Sequence, residues 1–89
     1  MSYSVYIVRC ADDTYYTGIA KDVQARVQAH NTSPQGAKYT RARRPVILVY
    51  SEVCTDRSAA QKREYVIRHY SRTQKEQLSQ QYTNKLSWK

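Results

Sequence analysis

Residues 2–10, SYSVYIVRC, alternate between polar and apolar positions and are rich in β-branched and aromatic side chains, the pattern of a half-buried strand. Residues 11–13, ADD, make a turn, and residues 14–20, TYYTGIA, return as a second strand, so a hairpin is predicted. In residues 21–31, KDVQARVQAHN, Val23 and Val27 fall four apart; a helix is predicted there, with Asp22 as N-cap and Asn31 as stop. Residues 31–45, NTSPQGAKYTRARRP, read as a long basic loop. The apolar run VILVYS, residues 46–51, is predicted to be the central strand, with Pro45 tolerated just before it. A second helix is predicted from Asp56 or Ser58 to about Tyr70, with a capping box over Ser58–Gln61. A second box, Thr73–Glu76, opens a short third helix. The end of the chain, NKLSWK, has no readable pattern, and Leu86 and Trp88 are expected to pack back. The order ββαβαα predicts one α+β domain over residues 1–89, with its core at about 3–78 and a tail over 79–89. Its sheet is small, three-stranded and antiparallel, and flanked by helices.

Side-chain parity adds a constraint. With the hairpin centred on Asp12, Cys10 opposes Thr14, Val8 opposes Tyr16 and Tyr6 opposes Gly18. Tyr6, Val8, Tyr16 and Gly18 then share one face, and Tyr6 and Tyr16 are diagonal neighbours roughly 7–8 Å apart at the backbone. Two readings of Gly18 stand side by side: it clears space beside a tyrosine hydroxyl, or it marks a bulge or the close approach of the first helix.

Charge narrows the partner. Fifteen Lys and Arg against seven Asp and Glu give a formal +8, the footprint of a protein that meets a polyanion, most commonly nucleic acid. Nine tyrosines and no phenylalanine suit surfaces that are half apolar and half wet. No run approaches the ~18 apolar residues of a membrane span. No signal peptide precedes Tyr3, and a cytoplasmic location is expected. Cys10 and Cys54 form no CxxC pair and no zinc-finger spacing exists, so both thiols are expected to be reduced, largely buried and structural.

Three groups of residues could carry chemistry. Arg26 and His30, four apart, lie on one helix face, as a solvated basic face or as part of a site. Lys38, Tyr39, Arg41, Arg43 and Arg44 interleave cations with an aromatic ring, which suits a phosphate backbone and a stacked base, although a solvated loop reads equally well. Glu64 stands out by elimination. The other six acids fall in the turn, at helix starts, at a strand end or in a capping box. Glu64 lies mid-helix among Lys62, Arg63 and Arg68, either as a surface pair with Arg68 or as a lone carboxylate for Mg²⁺.

Taken in order, these residues resemble the GIY-YIG nuclease superfamily, and its small stand-alone bacterial branch in particular. Ser4-Val5-Tyr6 and Tyr16-Thr17-Gly18 correspond to the two motifs of the starting hairpin, Arg26 and His30 to positions on the next helix, and Glu64 to a glutamate on a later one. YTGIAKDVQARVQAHN, GAKYTRARRPVILVYSE and DRSAAQKREY follow the pattern of that branch, and the likeness spans roughly residues 3–78. Ser4 replaces the first motif's glycine, and no counterpart of the separate DNA-binding domain of larger members is expected within residues 1–89.

The resemblance implies a metal-dependent endonuclease that hydrolyses phosphodiester bonds by a single-metal mechanism, on DNA rather than RNA, in a setting such as DNA repair. It implies Glu64 as ligand of Mg²⁺ or Mn²⁺ and Arg26 as phosphate clamp. Tyr6 would be the general base with Tyr16 positioning the water, or the two with roles exchanged; His30 would be the orienting group or proton relay and Gly18 the opening for substrate. The alternative is a nucleic-acid-binding module with weak or no catalysis, or an adaptor whose protein partner supplies targeting.

Overall fold

The computed structural model describes residues 2–32 and 38–86, with side chains to Thr83. The Lys21–Asn31 helix, the hairpin and both later helices are found, in the order β1 (Tyr3–Arg9), β2 (Tyr15–Ala20), α1 (Val23–Thr32), α2 (Lys38–Arg41), β3 (Ile47–Cys54), α3 (Arg57–Arg68) and α4 (Arg72–Leu86). The single turn α2 lies inside the stretch expected to be loop; otherwise the order is the predicted ββαβαα.

The three strands form one antiparallel sheet in the order β2-β1-β3. The apolar run of β3 is therefore an edge strand and not the central one. β1 takes the centre because five consecutive residues of it, Ser4–Val8, are buried, whereas Ile47 and Val53 of β3 are 55 % and 73 % exposed. The hairpin register is the one parity predicts: Tyr6 pairs with Gly18 and Val8 with Tyr16. The turn closes through Cys10 N–H to Thr14 O at 2.8 Å, with Asp13 at φ 68°. Asp tolerates that left-handed conformation better than most residues.

Both faces of the sheet are covered. Tyr6, Val8, Cys10 and Val46 pack with Val23 and Val27 of α1 on one side. Val5 and Ile7 pack with Ala60 and Ile67 of α3 and with Tyr70 and Leu78 on the other. Burying each such side chain contributes about 1.5–3 kcal/mol against exposure.

The helix ends refine the sequence reading. Asp22 caps α1, its carboxylate accepting from Ala25 N–H at 3.1 Å. Asn31 does not stop that helix; it lies in its last turn and reaches Val46. The cap of α3 is Asp56, which accepts from Ala59 N–H at 2.8 Å, so the Ser58 box is not used. The box of α4 is Ser71 with Gln74, not Thr73 with Glu76: Gln74 N–H donates to Ser71 Oγ at 3.2 Å and Ser71 N–H to Gln74 Oε1 at 2.9 Å. Glu76 instead accepts from Arg72. The third helix is long, not short, because it continues through the expected tail to Leu86. The packing expected of Leu86 and Trp88 lies outside the described side chains. Cys10 is buried and Cys54 half-buried, both as free thiols.

Candidate active site

On the α1 side of the sheet, a polar chain crosses the core. The Tyr6 hydroxyl is 2.7 Å from His30 Nε2, and His30 Nδ1 is 2.8 Å from Thr40 Oγ1. All three side chains are essentially inaccessible to solvent. They meet because β1 aims Tyr6 at α1, the last turn of α1 carries His30, and α2 brings Thr40 over it. Burial, assisted by the charges of Arg26 and Arg44, pushes the His30 pKa down to about 4, so the ring is neutral at pH 7. A neutral imidazole offers one donor and one acceptor, so one hydroxyl donates to it and the other receives.

Burial, reinforced by the neighbouring Tyr16, also pushes the Tyr6 phenol up to about 12, with the Arg26 guanidinium beside it pulling the other way. Only about one molecule in 10⁵ would carry a Tyr6 phenolate at pH 7.

Gly18 explains the fit. A Cβ there would lie 2.5 Å from the Tyr6 oxygen and 2.6 Å from Cζ. The missing side chain makes room for the Tyr6 ring itself. The β-bulge of the sheet lies elsewhere, between Ile7 and Val8 on the β3 side.

Tyr16 joins this chain to the surface. Its ring meets His30 edge-on at 5.3 Å between centroids and stacks on Tyr39 at 6.0 Å. Tyr16 also lines a cleft of about 260 Å³ at the edge strand β2, with Tyr15, Thr17, Glu64, Arg68 and Lys75. Glu64 follows Ala60 by four residues and precedes Ile67 by three, so it rides on the buried stripe of α3 and its side chain is only 17 % exposed. Although α3 packs on the sheet face opposite Tyr6, this stripe brings Glu64 round the β2 edge to Tyr16. Arg68 Nε is 3.7 Å from the carboxylate, a long pairing. Tyr6, Arg26 and His30 lie outside the cleft lining.

A larger cleft of about 430 Å³ lies at the start of α1. Its one carboxylate, Asp22, is already committed as the helix cap.

The expected basic cluster divides. Lys38, Tyr39 and Arg41 are exposed on α2. Arg43 pairs with Asp12 at 2.9 Å, donates to Tyr39 O and covers the Tyr39 ring at 4.0 Å. Arg44 donates to the carbonyl of His30. Arg43 and Arg44 thus pin α2 to the hairpin and to α1, a role the sequence reading did not give them. It also gave no role to Thr40 and read Asn31 only as a helix stop. Thr40 carries no periodic signal, and the Asn31 side chain bonds Val46 across fifteen residues.

The cleft suits some cations and not others. Among the described residues no three His, Cys, Asp or Glu side chains come together, which leaves no zinc-type cage. A single carboxylate with room for waters and phosphate oxygens fits Mg²⁺ or Mn²⁺. Thr17 lines the same cleft, and its hydroxyl is buried with no hydrogen-bond partner among the described residues.

Residues 2–77 match the family described as the GIY-YIG catalytic domain. A UPF0213 protein of Desulfotalea psychrophila is 58 % identical over 74 residues, 83 % of this chain and 67 % of that one. One from Staphylococcus aureus is 57 % identical over 77 residues, covering 86 % of this chain and 93 % of its own length. In solved structures, the NMR structure of a UPF0213 protein from Bacillus halodurans aligns with TM-score 0.54 at 44 % identity, over 88 % of this chain and 82 % of that one. A protein from E. faecalis aligns with TM-score 0.61 at 38 % identity, over 93 % and 88 %.

Proposed function

Because the chain belongs to the GIY-YIG catalytic-domain family, we propose that it is an endonuclease that hydrolyses phosphodiester bonds in DNA at the Tyr16–Glu64 cleft, with Mg²⁺ or Mn²⁺. The observation that carries this reading is the meeting of Glu64 and Tyr16 in one cleft, with Tyr16 backed by the Tyr6–His30–Thr40 chain.

Glu64 holds the cation. When bound, the cation supplies Lewis-acid stabilisation of the leaving oxygen. Arg26, beside the Tyr6 hydroxyl and outside the cleft lining, would meet phosphate charge only where the strand extends past Tyr16 towards α1. Tyr16 faces the attacking water and, once its own proton has gone to solvent, accepts the water's proton as the phenolate. Tyr6, held neutral by burial, orients His30 and through it the ring of Tyr16. This favours Tyr16 over Tyr6 as the base, since a phenol 1 % exposed with a pKa near 12 is poorly placed to take a proton from solvent. Lys38 and Arg41 attract the strand through its phosphates.

The test is cleavage of branched, nicked and single-stranded DNA with Mg²⁺ or Mn²⁺ by the wild type and by Glu64→Ala. The reading expects cutting that Glu64→Ala loses; equal cutting by both would remove it.

A further inference from the structure

Lys75, near the start of α4, lines the same cleft as Glu64 and Thr17. Its side chain is half-buried, and among the described residues it has no carboxylate partner. Other cations of the fold do have one: Arg43 with Asp12, Arg63 with Glu52, Arg68 with Glu64, and Arg72 with Asp13 and Glu76. Removing an ammonium from water costs free energy unless a negative group offsets it. Desolvation holds the Lys75 pKa below its ordinary value.

Thr17 brings a second polar group to the wall of the same cleft. The residue is 7 % exposed, and among the described residues its hydroxyl has no hydrogen-bond partner. On this strand face its neighbours are Tyr15 and Ile19, which pack against the apolar core with no such orphan group. Valine would fill that position without burying an unpartnered hydroxyl. A ligand that answers both groups must be anionic for Lys75 and rich in acceptors for Thr17. A phosphate group is both.

We propose that Lys75 and Thr17 form a phosphate-binding subsite beside Glu64 that holds a phosphate of the nucleic-acid strand; this rests on the nuclease reading of the cleft. Arg68, on the rim and 3.7 Å from Glu64, offsets part of the carboxylate's repulsion for that phosphate. Lys75 is then a substrate-binding residue contributed by α4, an element that supplies none of the sequence-expected site residues.

The probe is the 5′-phosphorylated thymidine dinucleotide, titrated by NMR with a chelator present so that no divalent cation takes part. The side-chain signals of Lys75 and the methyl of Thr17 should shift together along one saturating curve. Lys75→Gln should weaken binding about tenfold, the loss of one charge-assisted contact, while Lys75→Arg retains most of it. Thr17→Val should weaken binding less and leave the Lys75 shift in place. Shifts confined to other regions, or equal affinity in Lys75→Gln, would overturn the subsite. A Glu64→Ala protein that still cuts would sink the nuclease reading on its own, whatever the dinucleotide does.

Discussion

The Tyr6 hydroxyl meets His30 Nε2 at 2.7 Å inside the core, with neither side chain open to solvent. The contact ties the central strand to the first helix through a ring that must remain neutral. Burial first, and the charges of Arg26 and Arg44 second, bring the His30 pKa from 6.5 to about 4. The unfolded chain takes up this proton near 6.5 and the folded chain only near 4, so acid favours unfolding between those values. The contribution is therefore complete above pH 6.5 and is lost as pH falls towards 4. Urea denaturation at stepped pH should show the midpoint falling through that window. His30→Gln should flatten this part of the profile; an unchanged slope would contradict the assignment.

Gly18→Ala should destabilise the fold by about 1–3 kcal/mol, the usual cost of overpacking. The new Cβ would sit 2.5 Å from the Tyr6 oxygen, and that ring is buried and hydrogen-bonded, so it cannot swing away cheaply. Chemical denaturation measures the loss, and loosening of the Tyr6 ring signals in an NMR spectrum would locate it.

Asn31 grips the start of β3 with both ends of its amide: Nδ2 donates to Val46 O at 3.0 Å and Val46 N–H donates to Oδ1 at 2.7 Å. Asn31→Asp keeps the acceptor and turns the donor into a second oxygen facing the carbonyl. A loss of about 1–3 kcal/mol is expected in urea denaturation at pH 7. The loss should shrink at low pH, where a protonated carboxyl can donate again.

Thr17→Val should leave the melting temperature unchanged or raise it, because it removes a buried hydroxyl that has no partner among the described residues. Most core substitutions lower stability, so a clear fall on calorimetry would mean that the hydroxyl is satisfied within the fold.

Much of this arrangement is legible in the sequence because it depends on local periodicity. Strand alternation around Asp12 places Gly18 opposite Tyr6, as the pairing bears out. The four-residue step from Arg26 to His30 puts them on one helix face, and both act on Tyr6. What local patterns conceal are the tertiary choices. An apolar run such as VILVYS marks a strand but not its place in the sheet, and here the more fully buried β1 is central. The second-helix sequence held a clue that went unread. Ala60, Glu64 and Ile67 share one stripe, so the glutamate is largely covered while still pairing at 3.7 Å with the exposed Arg68. Thr40, Asn31 and Lys75 act across the chain, and no spacing rule exposes them.

The central claim is that Glu64 and Tyr16 share one cation-binding cleft at the β2 edge. The most direct measurement is the site of manganese binding, read from paramagnetic broadening of amide signals at substoichiometric Mn²⁺. The account predicts that Tyr16, Thr17, Glu64 and Arg68 broaden first and that Glu64→Gln abolishes the effect. Broadening centred on Asp12 and Asp13, or on Glu52, and unaffected by Glu64→Gln, would contradict it.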